Sequence, residues 1–206
     1  MKIEKHFAII AKQVGRYHAF PTLARQDEVI WLACRSGQVE KRQCHGRQGC
    51  VRLFAASTGE ADCWRDQGVL FRPSRGGSRN ELDAIISAPT PELMFLATRD
   101  FEHGQRNNAF LSRWAGLPYP ERRPLAEISD RPVICFGHIR QTTAGELLMS
   151  GYAGTRDEPQ AAPYLLVSTD QGRSWHLRAK VASSEEAGIR LTEFSLGHRG
   201  GPPGPR

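Results

Sequence analysis

Apolar residues in this chain come in short runs broken by polar turns, and no run shows the sustained stripe of an amphipathic helix. Residues 29–34 and 93–97 are two such runs, each set between a glutamate and an arginine: Glu28 and Arg35 in the first, Glu92 and Arg99 in the second. The two segments match at Glu, Leu, Ala and Arg, with large apolar residues between. A weaker third copy runs from Glu146 to Tyr152. Each copy follows a polar turn (26–27, 89–91, 142–145), and each turn follows another apolar run (20–24, 84–88, 133–139). Runs this short, paired across turn residues, predict hairpins of buried strands. Segments 81–86 and 183–187 are each read as a turn or so of helix, stopped by Pro89 and Gly188.

Trp64, Trp114 and Trp175 recur along the chain with the hairpins. Repeats of several tens of residues, each made of short strands, predict an all-β protein of propeller blades. Four Gly and three Pro fill residues 197–206, where no strand can continue. The expected organisation is one domain over 1–196 and a disordered tail over 197–206.

Composition narrows the function classes. Hydrophobic residues at 39% and charged residues at 24% are an ordinary globular mixture. The net charge of +6 comes from scattered basic residues without aromatic interleaving, which argues against nucleic-acid binding. No apolar run approaches the ~20 residues of a membrane-spanning helix, and the amino terminus lacks a signal-peptide core, so a cytoplasmic protein is expected. Five cysteines, an odd number, fit a reducing compartment, with a Cys44–Cys50 bridge left open. Cys44, His45 and Cys50 lack the spacing of a zinc knuckle; no metal or cofactor is expected.

The most specific stretch is Ser168-Thr169-Asp170-Gln171-Gly172-Arg173-Ser174-Trp175, an S-x-D-x-G-x-x-W pattern. Its physics is that of a tight turn. Asp170 accepts backbone N–H groups, Gly172 supplies a positive φ, and Trp175 folds back into the core. Asp170 is therefore structural rather than a catalytic acid. Ser57 and Trp64 keep the ends of a second copy, with Gly59 and Ala61 where Asp and Gly would stand.

On these residues the chain resembles the sialidase (neuraminidase) superfamily, β-propellers carrying such Asp-box repeats. The resemblance implies a partial propeller, about three blades plus the start of a fourth out of six. It further implies a shortened copy, one whose remaining blades a partner such as a second copy of the chain supplies, or an open stack of sheets stable by itself. Family members bind the substrate carboxylate with three arginines. They use a Tyr nucleophile activated by a Glu, with an Asp as acid/base. Ala19 stands where the first arginine would be, and residues 36–49 contain no Asp, which leaves His45 as the proton-transfer candidate there. Glu193 matches the activating Glu, whereas the Tyr and the later arginines would lie downstream. Arg35 and Arg99, at equivalent strand ends, either bind an anion at a central pocket or bridge neighbouring blades. The implied function is a sialidase-like glycoside hydrolase homologue with an incomplete site. The alternative is a non-catalytic propeller that binds a carbohydrate or a protein; the implied ligand is a glycan or a sialic-acid-like carboxylated sugar.

Overall fold

The computed structural model of the chain describes residues 10–40, 43–60, 63–72, 80–101, 108–114, 120–131, 133–153, 162–182 and Leu196. Three antiparallel sheets follow one another along the sequence. The first has the order β1 (Arg16–Gln26), β2 (Val29–Glu40), β3 (Gln43–Ser57), β4 (Arg65–Phe71), with a 3₁₀ turn, Thr58–Glu60, before β4. The second has the order β5 (Asn80–Thr90), β6 (Leu93–Phe101), β7 (Asn108–Trp114), β8 (Glu121–Pro124), and a short helix α1 (Leu125–Ile128) leaves it.

The first strand of the third sheet is interrupted. β9 (Ile134–Cys135) and β10 (Arg140–Gln141) both pair with β11 (Leu147–Ala153), and β12 (Ala162–Ser168) and β13 (His176–Lys180) complete the order. Gly151 allows this close approach, because a Cβ there would come within 2.6 Å of the Val133 side chain and 2.7 Å of the Ile134 carbonyl. All three repeat copies fall on the second strand of their sheets, β2, β6 and β11.

The second strands read as continuous apolar runs because both of their faces are covered. On β6, Leu93, Phe95 and Ala97 pack toward the third sheet with Leu147, Met149, Leu166 and Trp175. Met94 and Leu96 point the other way, against Ala33, Val51 and Leu53 of the first sheet. The sheets thus stack face to face with β6 sandwiched. Their first strands are also stitched together. The Thr22 hydroxyl donates to Ala84 O (2.7 Å) and accepts from Ile86 N (3.0 Å), and Ser87 Oγ accepts from Ile139 N (2.9 Å). His138 Nδ1 lies 2.8 Å from Ile86 O, a contact that requires the Nδ1–H tautomer.

Two expectations change. Segment 81–86 is part of strand β5, not helix: Ala84 and Ile86 alternate with Ile85 between the two cores, and burial on both faces overrides the local propensity. Trp64 and Trp175 each precede the fourth strand of a sheet, whereas Trp114 ends a third strand, so it is not their equivalent. Arg35 and Arg99 both stand on second strands, β2 and β6. Segment 183–187 and the tail 197–206 lie outside the described residues.

Candidate functional site

Strand register divides the three sheets into two ends. At one end are the hairpin turns between Gln26 and Val29, Thr90 and Leu93, and Gln141 and Leu147, together with the turn joining β12 to β13. At the other end are the start of β1, the far ends of β2 and β6, and Tyr152 on β11.

At the turn end, the Ser168–Trp175 segment is held from inside. Asp170 Oδ1 accepts from the backbone N of Arg173 (3.0 Å) and Ser174 (2.9 Å) and from Ser168 Oγ (2.8 Å); Oδ2 accepts from Ser174 Oγ (2.6 Å). Burial alone would raise the Asp170 pKa, but the bonds from Ser174, Ser168 and Arg173 outweigh it and bring it down to about 2. Ser168 Oγ also accepts from Gly172 N at 2.8 Å. Gly172 has φ 82°, and a Cβ there would stand 2.5 Å from the Phe95 ring. Trp175 is wholly buried and ties its backbone N to Ile128 O at 2.7 Å. Asp170 thus accepts four hydrogen bonds, all from within the turn.

The opposite end gathers the basic and titratable groups. Arg35 is wholly buried, on the face of β2 that looks toward the second sheet. Arg99, partly buried on β6, donates from Nη1 to Tyr152 Oη at 3.0 Å and so links the second and third sheets. His18 pairs with Ser36 in the β1–β2 register, one residue from the Ala19–Arg35 pair. Both its ring nitrogens are buried with no hydrogen-bond partner among the described residues. Burial, then the Arg52 and Arg16 guanidinium groups, lower its pKa and keep it neutral at pH 7. Arg52 is in turn paired with Asp66. Cys34 is buried nearby, and burial pushes its thiol up to about 11, too high for a thiolate nucleophile at neutral pH. Cys50 is a free thiol that donates to Ser36 O.

On the other face of β6 from Arg99, Arg122 lies between two rings, 4.4 Å from the Phe71 centroid and 4.1 Å from that of Phe110, and donates to Thr98 Oγ1 at 3.2 Å. This guanidinium joins the first sheet to the second by cation–π contacts.

His45 falls on β3, near the tip of the β2–β3 hairpin, with its side chain outside the described residues. Glu193 is outside them altogether. The structure therefore brings Arg99 to Tyr152 and sets Arg35 opposite Ala19 in the β1–β2 register, while leaving those two candidates without geometry. Sequence reading missed Tyr152, His18 and Arg122. Tyr152 left a trace: it ends the third repeat copy, at the position held by Cys34 and Thr98 in the others.

No protein-family model matches the chain, and no curated protein does. Solved structures do. A protein of unknown function from Dyadobacter fermentans superposes with a TM-score of 0.73 at 15% identity, over 91% of this chain and 60% of that one. The sialidase of Trypanosoma rangeli in complex with the inhibitor DANA gives 0.68 at 12% identity, over 91% of this chain and 34% of that one. The fold is that of a sialidase-like propeller. A glycosyl hydrolase from Bacteroides ovatus also matches, with a TM-score of 0.55 at 12% identity over 80% of this chain and 49% of its own. The chain thus spans about a third of the sialidase and 60% of the Dyadobacter protein. At such identities the likeness is one of fold, and the three sheets are its blades. Among the described residues, no helix is long and apolar enough to cross a membrane.

Proposed function

We propose that this chain is a sialidase-like blade assembly that binds a carboxylated sugar at the arginine end of its sheets and does not hydrolyse it. The observation that carries the reading is Arg99, a partly buried guanidinium held by Tyr152 Oη at 3.0 Å, at the strand position equivalent to Arg35. A guanidinium fork oriented in advance suits bidentate recognition of a carboxylate. We assign Arg99 to the sugar carboxylate. The Trypanosoma rangeli sialidase in complex with sialic acid supports a ligand of this class.

The Ser168–Trp175 turn is read as an Asp box, supported by the four hydrogen bonds that Asp170 accepts. Lack of hydrolysis rests on Ala19 at the first arginine position and on the missing Asp in residues 36–49. His45 and Glu193 are the remaining candidates for proton transfer, assigned by resemblance. A fluorogenic sialoside decides between the two functional classes. We expect no release above the uncatalysed rate, and turnover removed by Glu193→Gln would establish the hydrolase reading instead.

A further inference from the structure

At the turn end of the sheets, away from Arg99, lies a cleft of about 580 Å³. That is within the ~300–1,000 Å³ typical of small-molecule sites. All three blades contribute to it: Gln26 from the first, Glu92 and Arg113 from the second, Gln141 and Gln171 from the third. Leu93 and Leu147, both buried, add apolar surface to its lining.

Three side-chain amides in one cleft supply both hydrogen-bond donors and acceptors. Two are fixed by a single bond to a carbonyl: Gln26 Nε2 donates to Pro91 O at 2.7 Å, across the first and second blades, and Gln141 Nε2 donates to Gly145 O at 3.4 Å. Arg113 Nε donates to Gln171 O at 2.9 Å, which leaves its two terminal nitrogens without a hydrogen bond to the described residues. Gln171 itself sits at φ 61°, in the left-handed region where glycine would be unstrained. The chain keeps a long amide side chain at a position whose backbone disfavours one, and strained positions of this kind cluster at ligand sites.

We propose that this cleft binds a neutral polyhydroxylated ligand, one sugar unit in size. A sugar hydroxyl both donates and accepts, as a glutamine amide does, and its C–H faces suit the apolar lining at Leu93 and Leu147. Arg113 and Glu92 carry opposite charges, so the lining as a whole does not select an ion. The site is separate from the arginine end and independent of the function proposed there.

The test is an NMR titration of the isotope-labelled full chain with glucose, galactose, mannose and N-acetylglucosamine, with inorganic phosphate as the ionic control. At least one sugar should shift the side-chain amide signals of Gln26, Gln141 and Gln171 saturably. Gln171→Gly removes the side chain while relieving the backbone and keeping the carbonyl for Arg113, so it should fold and bind the sugar about tenfold more weakly, the loss of one hydrogen bond to a neutral group. Arg99→Ala should leave this titration unchanged. The proposal is overturned if no sugar gives a saturable shift, if phosphate alone does, or if Gln171→Gly binds as the parent does.

Discussion

The indole of Trp175 meets the ring of Phe95 edge-on, with centroids 6.4 Å apart and planes at 75°, across the boundary between the second and third blades. One residue closes the β12–β13 turn and the other lies in the middle of β6, so the turn serves as the anchor that docks one blade on the next. Edge-to-face pairs add to the area term already gained by burying both rings. Trp175→Ala should therefore destabilise the chain by about 3–5 kcal/mol in urea unfolding. Trp175→Phe should lose clearly less, since it keeps a ring and removes a buried indole N–H that has no hydrogen-bond partner among the described residues.

Gly172 is constrained twice, by its φ of 82° and by the Phe95 ring where its Cβ would be. Gly172→Ala should lose about 1–2 kcal/mol from the backbone alone and more from the clash. Shortening the opposing ring with Phe95→Leu should recover part of the clash but none of the backbone strain. A double-mutant cycle measured by denaturant unfolding would give that coupling; additive losses would mean that the two residues do not meet.

Asp170 has its pKa lowered to about 2 from the ordinary 3.8 of an aspartate. Its contribution is thus present above pH 4 and fades as pH falls through 2, because only the unfolded state takes up the proton in between. After discounting for partial solvent screening, the contribution is roughly 1–2 kcal/mol. Asp170→Asn should lower stability at pH 6 and make the fall between pH 4 and pH 2 shallower.

His18 works in the opposite direction from a histidine that gains an acidic partner. Its pKa is lowered, so below the ordinary 6.5 of a histidine the unfolded state binds a proton that the folded state refuses. Stability should be complete above that pH and decline on acidification below it. Unfolding midpoints at pH 7.5 and 5.5, compared with those of His18→Gln, would show it; the variant should have the smaller difference.

The blades were legible in the sequence because their second strands are buried on both faces. Residues 29–34 and 93–97 read as uninterrupted apolar runs, and Glu28/Arg35 and Glu92/Arg99 mark their ends. The Ser168–Trp175 turn was legible because its bonds are local, within four residues of Asp170 or Ser168. Segment 81–86 misled because Asn80, Glu81 and Asp83 give the start of β5 a polar, helix-like look, while the packing of Ala84 and Ile86 against the first blade is non-local. The site was harder for the same reason. Arg99 and Tyr152 are 53 positions apart, and only blade stacking brings them together. Nor does local sequence show that Arg122 reaches Phe71 in another blade.

Tyr152→Phe should leave Arg99 in place but remove the 3.0 Å bond that orients it. Weaker binding of a carboxylated sugar by about tenfold, with unchanged unfolding, is expected from the loss of one hydrogen bond to a charged group.

Binding of free N-acetylneuraminic acid to the full chain, followed by calorimetry or ligand-observed NMR, tests the central claim most directly. The account predicts saturable binding that Arg99→Ala abolishes, that the methyl ester of the same sugar does not reproduce, and that proceeds without turnover of a sialoside. Equal binding of acid and ester, or binding that survives Arg99→Ala in a folded protein, would contradict it.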